Sequence, residues 1–225
     1  MADALTLDMV DRDGAVREAL DDGLSGSRRD LFKKLAGGGT VVAAGGLVIG
    51  GLPSIALGAP SAKQDVTILN FALLLEYLES SFYVEAVRKG NFSGETGRFA
   101  RVVRDHELAH VAYLKKALGS KAIKKPKFDF GNTTSDLKTF QATATALEDT
   151  GVSAYNGQGT RLTRATLAAA ATIVSVEARH AAWIRYIKDH PDYGSSKNYP
   201  APASFDKART MKQVQKIVNQ TGFIQ

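Results

Sequence analysis

Two stretches of this sequence repeat one another, and the repeat limits the fold more than anything else in the chain. "LEYLESSFY" places Glu76 seven residues before Tyr83, and "LEDTGVSAY" places Glu148 seven residues before Tyr155. Downstream of each comes a second pair. "HELAHVAYL" carries Glu107 and His110 with Tyr113 beyond, and "VEARHAAWI" carries Glu177 and His180 with Trp183 at the matching place. The copies are offset by 72 and 70 residues, so the chain reads as a two-helix unit used twice.

The residue types fit one chemistry. On a helix, positions i and i+3 share a face and stand about 4.5 Å apart along the axis, so Glu107 with His110, and Glu177 with His180, can each converge on one point. Adding Glu76 and Glu148 from the other two helices gives four carboxylates and two imidazoles, the donor set of a di-iron or di-manganese site inside a helix bundle. Oxygen and imidazole nitrogen suit iron or manganese, and nothing soft is present to favour copper. Shared carboxylates would hold two cations together and leave room for oxygen or peroxide. These glutamates stand inside apolar runs such as "FALLLEYL" and "ATIVSVEA", where an unpaired carboxylate is costly. A row of surface salt links does not explain that placement.

Neighbouring residues are less determined. Glu79 lies one turn after Glu76 and reads as an extra ligand, an outer acceptor or a surface residue; its counterpart in the repeat is Gly151. Tyr83 and Tyr155 are the candidate catalytic side chains, phenols able to orient a carboxylate or donate an electron, but filling the core is an equal reading. His106 is expected to point away from the site as a surface histidine, and His190, before Pro191, to cap the fourth helix.

Periodicity predicts an all-α chain. Helices are expected over about 64–89 and 96–118, the second ending at Gly119, then a long connection, "SKAIKKPKFDFGNTTS". A third starts from a cap at Thr134 or Ser135 and runs to about 159, and a fourth spans about 163–189. A loop and a short amphipathic helix over 205–220, packed on the outside, complete the chain. No segment alternates as a strand does. The expected fold is a four-helix bundle with one long crossover between helices two and three.

The first 62 residues have a different character. Residues 35–62 carry no charge and eight glycines, after "SRRDLFKK" with paired Arg28 and Arg29. Paired arginines, an apolar run and small residues form the layout of an export signal. It resembles a twin-arginine signal with Leu31 and Phe32 in exchanged order. A membrane anchor is the alternative, since 28 uncharged residues suffice to span a bilayer. Cleavage after Ala56, Gly58, Ala59 or Ala62 would start the mature chain near Lys63, with the bundle over 63–190 and a tail over 191–225. The expected location is periplasmic or otherwise extracytoplasmic, with the twin-arginine machinery as export partner. Without residues 1–62 the net charge rises from +6 to +8, concentrated in blocks such as "KKALGSKAIKKPK". No basic recognition helix accompanies it, so a nucleic-acid partner is not expected. The chain has no cysteine, which excludes thiol catalysis, thiolate ligation and iron–sulfur chemistry.

Together, "LNFALLLEYLESSFY", "DHELAHVAYL", "FDF", "ALEDTGVSAYNG" and "VEARHAAWIRY" resemble the ferritin-like domain of desiccation-related proteins over about residues 64–190. They are similar, more distantly, to bacterioferritin, rubrerythrin and manganese catalase. The resemblance implies two metal ions, iron or manganese, held by Glu76, Glu107, His110, Glu148, Glu177 and His180. It leaves activity open, because this bundle hosts many chemistries. No C-x-x-C pairs follow it in this sequence, so an electron-transfer domain of the rubrerythrin type is not expected, and the long tail sets the chain apart from cage-forming ferritins. Homo-oligomers other than a storage shell stay open. The expected function is an exported metal protein reacting with peroxide or oxygen under stress. The alternative is a non-catalytic iron-binding or structural desiccation protein.

Overall fold

Helix α1, Ala62–Lys89, opens the part of the chain that the computed structural model describes, residues 60–189 and 199–225. The expected leader lies almost wholly outside these residues, and so do His190 and Pro191. Among the described residues no helix is long and apolar enough to cross a membrane.

Ser61 caps α1, its side chain accepting from the Gln64 amide at 3.3 Å, and Arg88 and Lys89 stand in the last turn, where the carbonyl end of the helix dipole favours cations. A four-residue turn leads to α2, Gly94–Leu118, which stops at Gly119, a residue with φ of +55° that L side chains rarely adopt. A single 3₁₀ turn, Gly119–Lys121, starts the crossover to α3, Leu137–Gly159. The cap of α3 is Asp136, whose carboxylate accepts from the Thr139 amide at 2.9 Å. The expected caps, Thr134 and Ser135, lie two residues and one residue too early: all three residue types can cap, and only the backbone path selects one. Another short turn leads to α4, Arg164–Asp189.

Short connections make α1 with α2, and α3 with α4, antiparallel pairs, and these are the most extensive contacts of the bundle. Apolar residues at helical spacing on α1, Leu75, Leu78, Phe82 and Ala86, enter one core with Phe99 and Val103 of α2, Phe140 and Leu147 of α3 and Ile184 of α4. The Phe82 and Phe140 rings stack at 5.5 Å, and Tyr83 meets Phe99 edge-on at 5.8 Å. This aromatic plug fills one end of the bundle, beyond the acidic residues of α1.

The tail differs from expectation. Its helix, α5, is Met211–Thr221, started by a capping box between Thr210 and Gln213, while Phe205 is 85% exposed. Far from lying outside the core, α5 buries Val214 and Val218 in the same cluster as Phe82. Phe223 meets Phe130 of the crossover at 5.2 Å, and Phe128 forms an isolated antiparallel bridge with Ile224. Gly157 permits the tail's approach to α3: a Cβ there would stand 1.8 Å from the Arg209 carbonyl oxygen. The architecture is an all-α four-helix bundle with a long crossover and a short C-terminal helix.

Candidate metal centre

Each of the four long helices contributes a fully buried glutamate: Glu76 from α1, Glu107 from α2, Glu148 from α3 and Glu177 from α4, none more than 1% exposed. His110 and His180 follow their glutamates by one turn, as the i, i+3 spacing requires. The six residues form two groups whose donor atoms lie within 4.8 Å of one another. One is Glu76, Glu107, His110 and Glu177; the other is Glu107, Glu148, Glu177 and His180. Glu107 and Glu177 belong to both, so the groups share a carboxylate edge.

The hydrogen-bonding capacity of these groups does not balance. His110 Nδ1 lies 3.0 Å from Glu177 Oε1, 3.3 Å from Glu76 Oε2 and 3.3 Å from Glu107 Oε2. One ring nitrogen carries at most one proton and cannot satisfy three carboxylates. His180 Nδ1 is placed likewise, 3.1 Å from Glu107 Oε1 and 3.3 Å from Glu148 Oε2. Glu76 Oε2, Glu107 Oε1, Glu148 Oε2, both oxygens of Glu177 and His180 Nδ1 are buried with no properly aligned hydrogen-bond partner among the described residues. Orphaned buried oxygens are expensive, and a cation at their focus would remove the cost. The donor set thus fits a hard or borderline divalent metal.

The electrostatics agree. Burial first, then the charges of Glu76 and Glu148, raise Glu107 well above the usual carboxylate range; burial, Glu107 and Glu76 do the same to Glu177. For Glu76 burial acts upward too, but contact with His110 outweighs it and the net shift is downward. Burial works against the charged form of His110, and the surrounding carboxylates reverse that, pushing it up to about 12. Without metal, the site holds protons that a cation would displace.

Both tyrosines touch the centre, each across the bundle. The Tyr155 hydroxyl donates to Glu76 Oε1 at 2.6 Å, and the Tyr83 hydroxyl donates to Glu148 Oε1. Each phenol thus serves the glutamate of the opposite helix, as the antiparallel run of α1 and α3 requires. Burial first, then Glu148 beside Tyr83 and Glu76 beside Tyr155, drive both hydroxyls well above 10, so they stay protonated and donate. The third repeat positions do not converge: Tyr113 is exposed, and Trp183 Nε1 donates to Glu95 Oε1 at 2.9 Å.

His106 is exposed, as expected, but it does not point away. Its Nδ1 lies 2.8 Å from Nε2 of His180, and the two rings stack with centroids 5.1 Å apart. His106 stands one helical turn before His110, and that i, i+4 relation was the available signal for placing it on the site's side of α2. Glu79 is 2% exposed, which removes the surface reading, and it belongs to neither donor group.

Comparison with known proteins matches residues 64–189 to a family described as a ferritin-like domain. No curated protein matches the chain.

Proposed function

Because the chain belongs to the ferritin-like domain family, we propose that it is an exported di-metal carboxylate protein that reacts with peroxide or oxygen in stress protection. The observation that carries this reading is the set of five buried carboxylate oxygens and one imidazole nitrogen, His180 Nδ1, left without hydrogen-bond partners among the described residues where four helices meet. Glu76 and His110 would hold one ion, Glu148 and His180 the other, and Glu107 and Glu177 would serve both. Bound iron or manganese would supply the one- or two-electron redox chemistry that these side chains lack.

The chain's own residues do the rest. Tyr155 and Tyr83 fix Glu76 and Glu148 by donated hydrogen bonds, so these are positioning residues. His106, against the outer nitrogen of His180, leaves Nδ1 as the atom facing the carboxylates. The aromatic plug of Phe82, Phe99 and Phe140 keeps water from one end of the site. Export rests on the Arg28–Arg29 leader, and passage of an already folded chain would let the metal be chosen before export.

Peroxide consumption and ferrous-ion oxidation, followed on metal-loaded protein, test the reaction. Rapid turnover that Glu148→Ala removes is the expected outcome. Stoichiometric metal without turnover would instead make the protein a metal binder or a structural stress protein.

A further inference from the structure

Between α1, α3 and α5 lies a cleft of about 270 Å³. Its walls are apolar, with Leu75, Leu78, Leu147, Val218 and Phe223 among them, and Glu79 belongs to the same lining. Glu79 is 2% exposed and makes no hydrogen bond among the described residues. The Thr150 and Thr221 hydroxyls of the same wall are committed, donating to the Ala146 and Val218 carbonyl oxygens at 2.7 and 2.6 Å. An acid on a buried residue with no hydrogen-bond partner, in the lining of an apolar cleft, would be stabilised by a polar group of a ligand there.

Gly151 shows that this carboxyl also adjoins the metal centre. A Cβ there would lie 3.2 Å from Glu79 Oε1 and 3.3 Å from Glu177 Oε2. The two acids therefore flank one glycine of α3, and any larger residue would press on both.

We propose that the cleft binds a small phenol, its ring among the leucines and its hydroxyl on Glu79, one carboxylate away from the metal centre. Size fits, since apolar cavities of about 150 Å³ already take up benzene. Polarity fits as well. A hydroxyl both donates and accepts, so it pairs with the Glu79 carboxyl whether or not that carboxyl is protonated. An anionic ligand is disfavoured by the apolar walls and by the neighbouring carboxylates, and a pure hydrocarbon would leave Glu79 without a partner.

The test is ligand-observed NMR on the full-length protein with 4-ethylphenol and ethylbenzene as matched probes, with metal content measured on the same samples. Saturable 4-ethylphenol binding is expected, with ethylbenzene about tenfold weaker, the loss of one buried hydrogen bond. Ala146→Phe fills the cleft from an exposed position and should abolish binding while metal content stays unchanged; Ala142→Leu is the milder version of the same change. Glu79→Leu should erase the preference between the probes. No saturable binding, equal affinity for both probes in the wild type, or undiminished binding in both filled variants would overturn the proposal. Loss of metal in Glu79→Leu with the phenol preference intact would overturn it too, by assigning Glu79 to the centre. Because the metal reading is taken separately, failure of the cleft is distinct from failure of the metal assignment.

Discussion

Histidine 180 uses both ring nitrogens, Nδ1 toward Glu107 and Glu148 and Nε2 toward His106. Outer partners of ligating imidazoles typically contribute a factor of about 10–100 in metal affinity, so His106→Ala should weaken metal binding by that order. His106→Asn, which can hydrogen-bond in part, should recover some of the loss, and a competitive chelator titration reads both. Unchanged affinity in His106→Ala would show that the pair is only a surface contact. What was legible at this scale was what spacing encodes: Glu-x-x-H on two helices, and a glutamate with its tyrosine on each of the others. The partners across the bundle were not legible. That Tyr83 serves Glu148, and that His106 meets His180, depends on how antiparallel helices register, and the order of residues along one helix does not contain that. The opposite fates of Glu76 and Glu79, both glutamates of one helix face, are set in the same way by what α3 presents to each.

Asp65, in the first turn of α1, ties that helix to the start of α4. It accepts from the Thr163 amide at 2.9 Å and the Thr166 hydroxyl at 2.6 Å, and Thr163 also donates its hydroxyl. A carboxylate facing the first turn of another helix is a cap and also a favourable charge at the dipole's positive end. Burial alone would raise its pKa, and the Thr163 and Thr166 bonds outweigh that and hold it below the usual carboxylate value. Its contribution is therefore complete above about pH 4 and is lost as pH falls through the lower folded value. Asp65→Asn should cost about 1–2 kcal/mol at neutral pH in denaturant unfolding, with the gap to wild type closing in acid. A gap that is equal at both pH values would refute the charged clamp. Limits of the four long helices were legible to within two residues because caps, a terminal glycine and the turn sequences mark them, whereas α5 starts six residues later than the amphipathic stretch from residue 205 suggested. The depth of α5 was not: its apolar pair, Val214 and Val218, looks the same whether it meets a surface or completes a core.

Across the whole molecule the two acidic groups oppose the core that surrounds them. Glu107 and Glu177 are raised by burial and by each other's neighbours, and His110 is raised to about 12. Groups raised on folding stabilise the metal-free chain at low pH, and that contribution drains away as pH climbs past their unfolded values; Glu76, lowered, acts in the opposite sense only in more acidic solution. The metal-free protein should therefore melt higher at about pH 5.5 than at about pH 8, and the stabilisation by added metal should widen over the same range as protons are displaced. Scanning calorimetry with and without chelator measures both trends, and the reverse order would contradict the protonation pattern. Four helices, their order and the long crossover were legible from the repeat, because two copies of a helix pair can share one buried site only by facing each other. The central claim is that this site holds two metal ions. Elemental analysis of protein titrated anaerobically with ferrous ion, then freed of excess, tests it most directly: the account predicts close to two equivalents per chain, falling sharply in Glu177→Ala, whose carboxylate belongs to both groups. Retention of no metal by the wild type, or undiminished metal in Glu177→Ala, would contradict it.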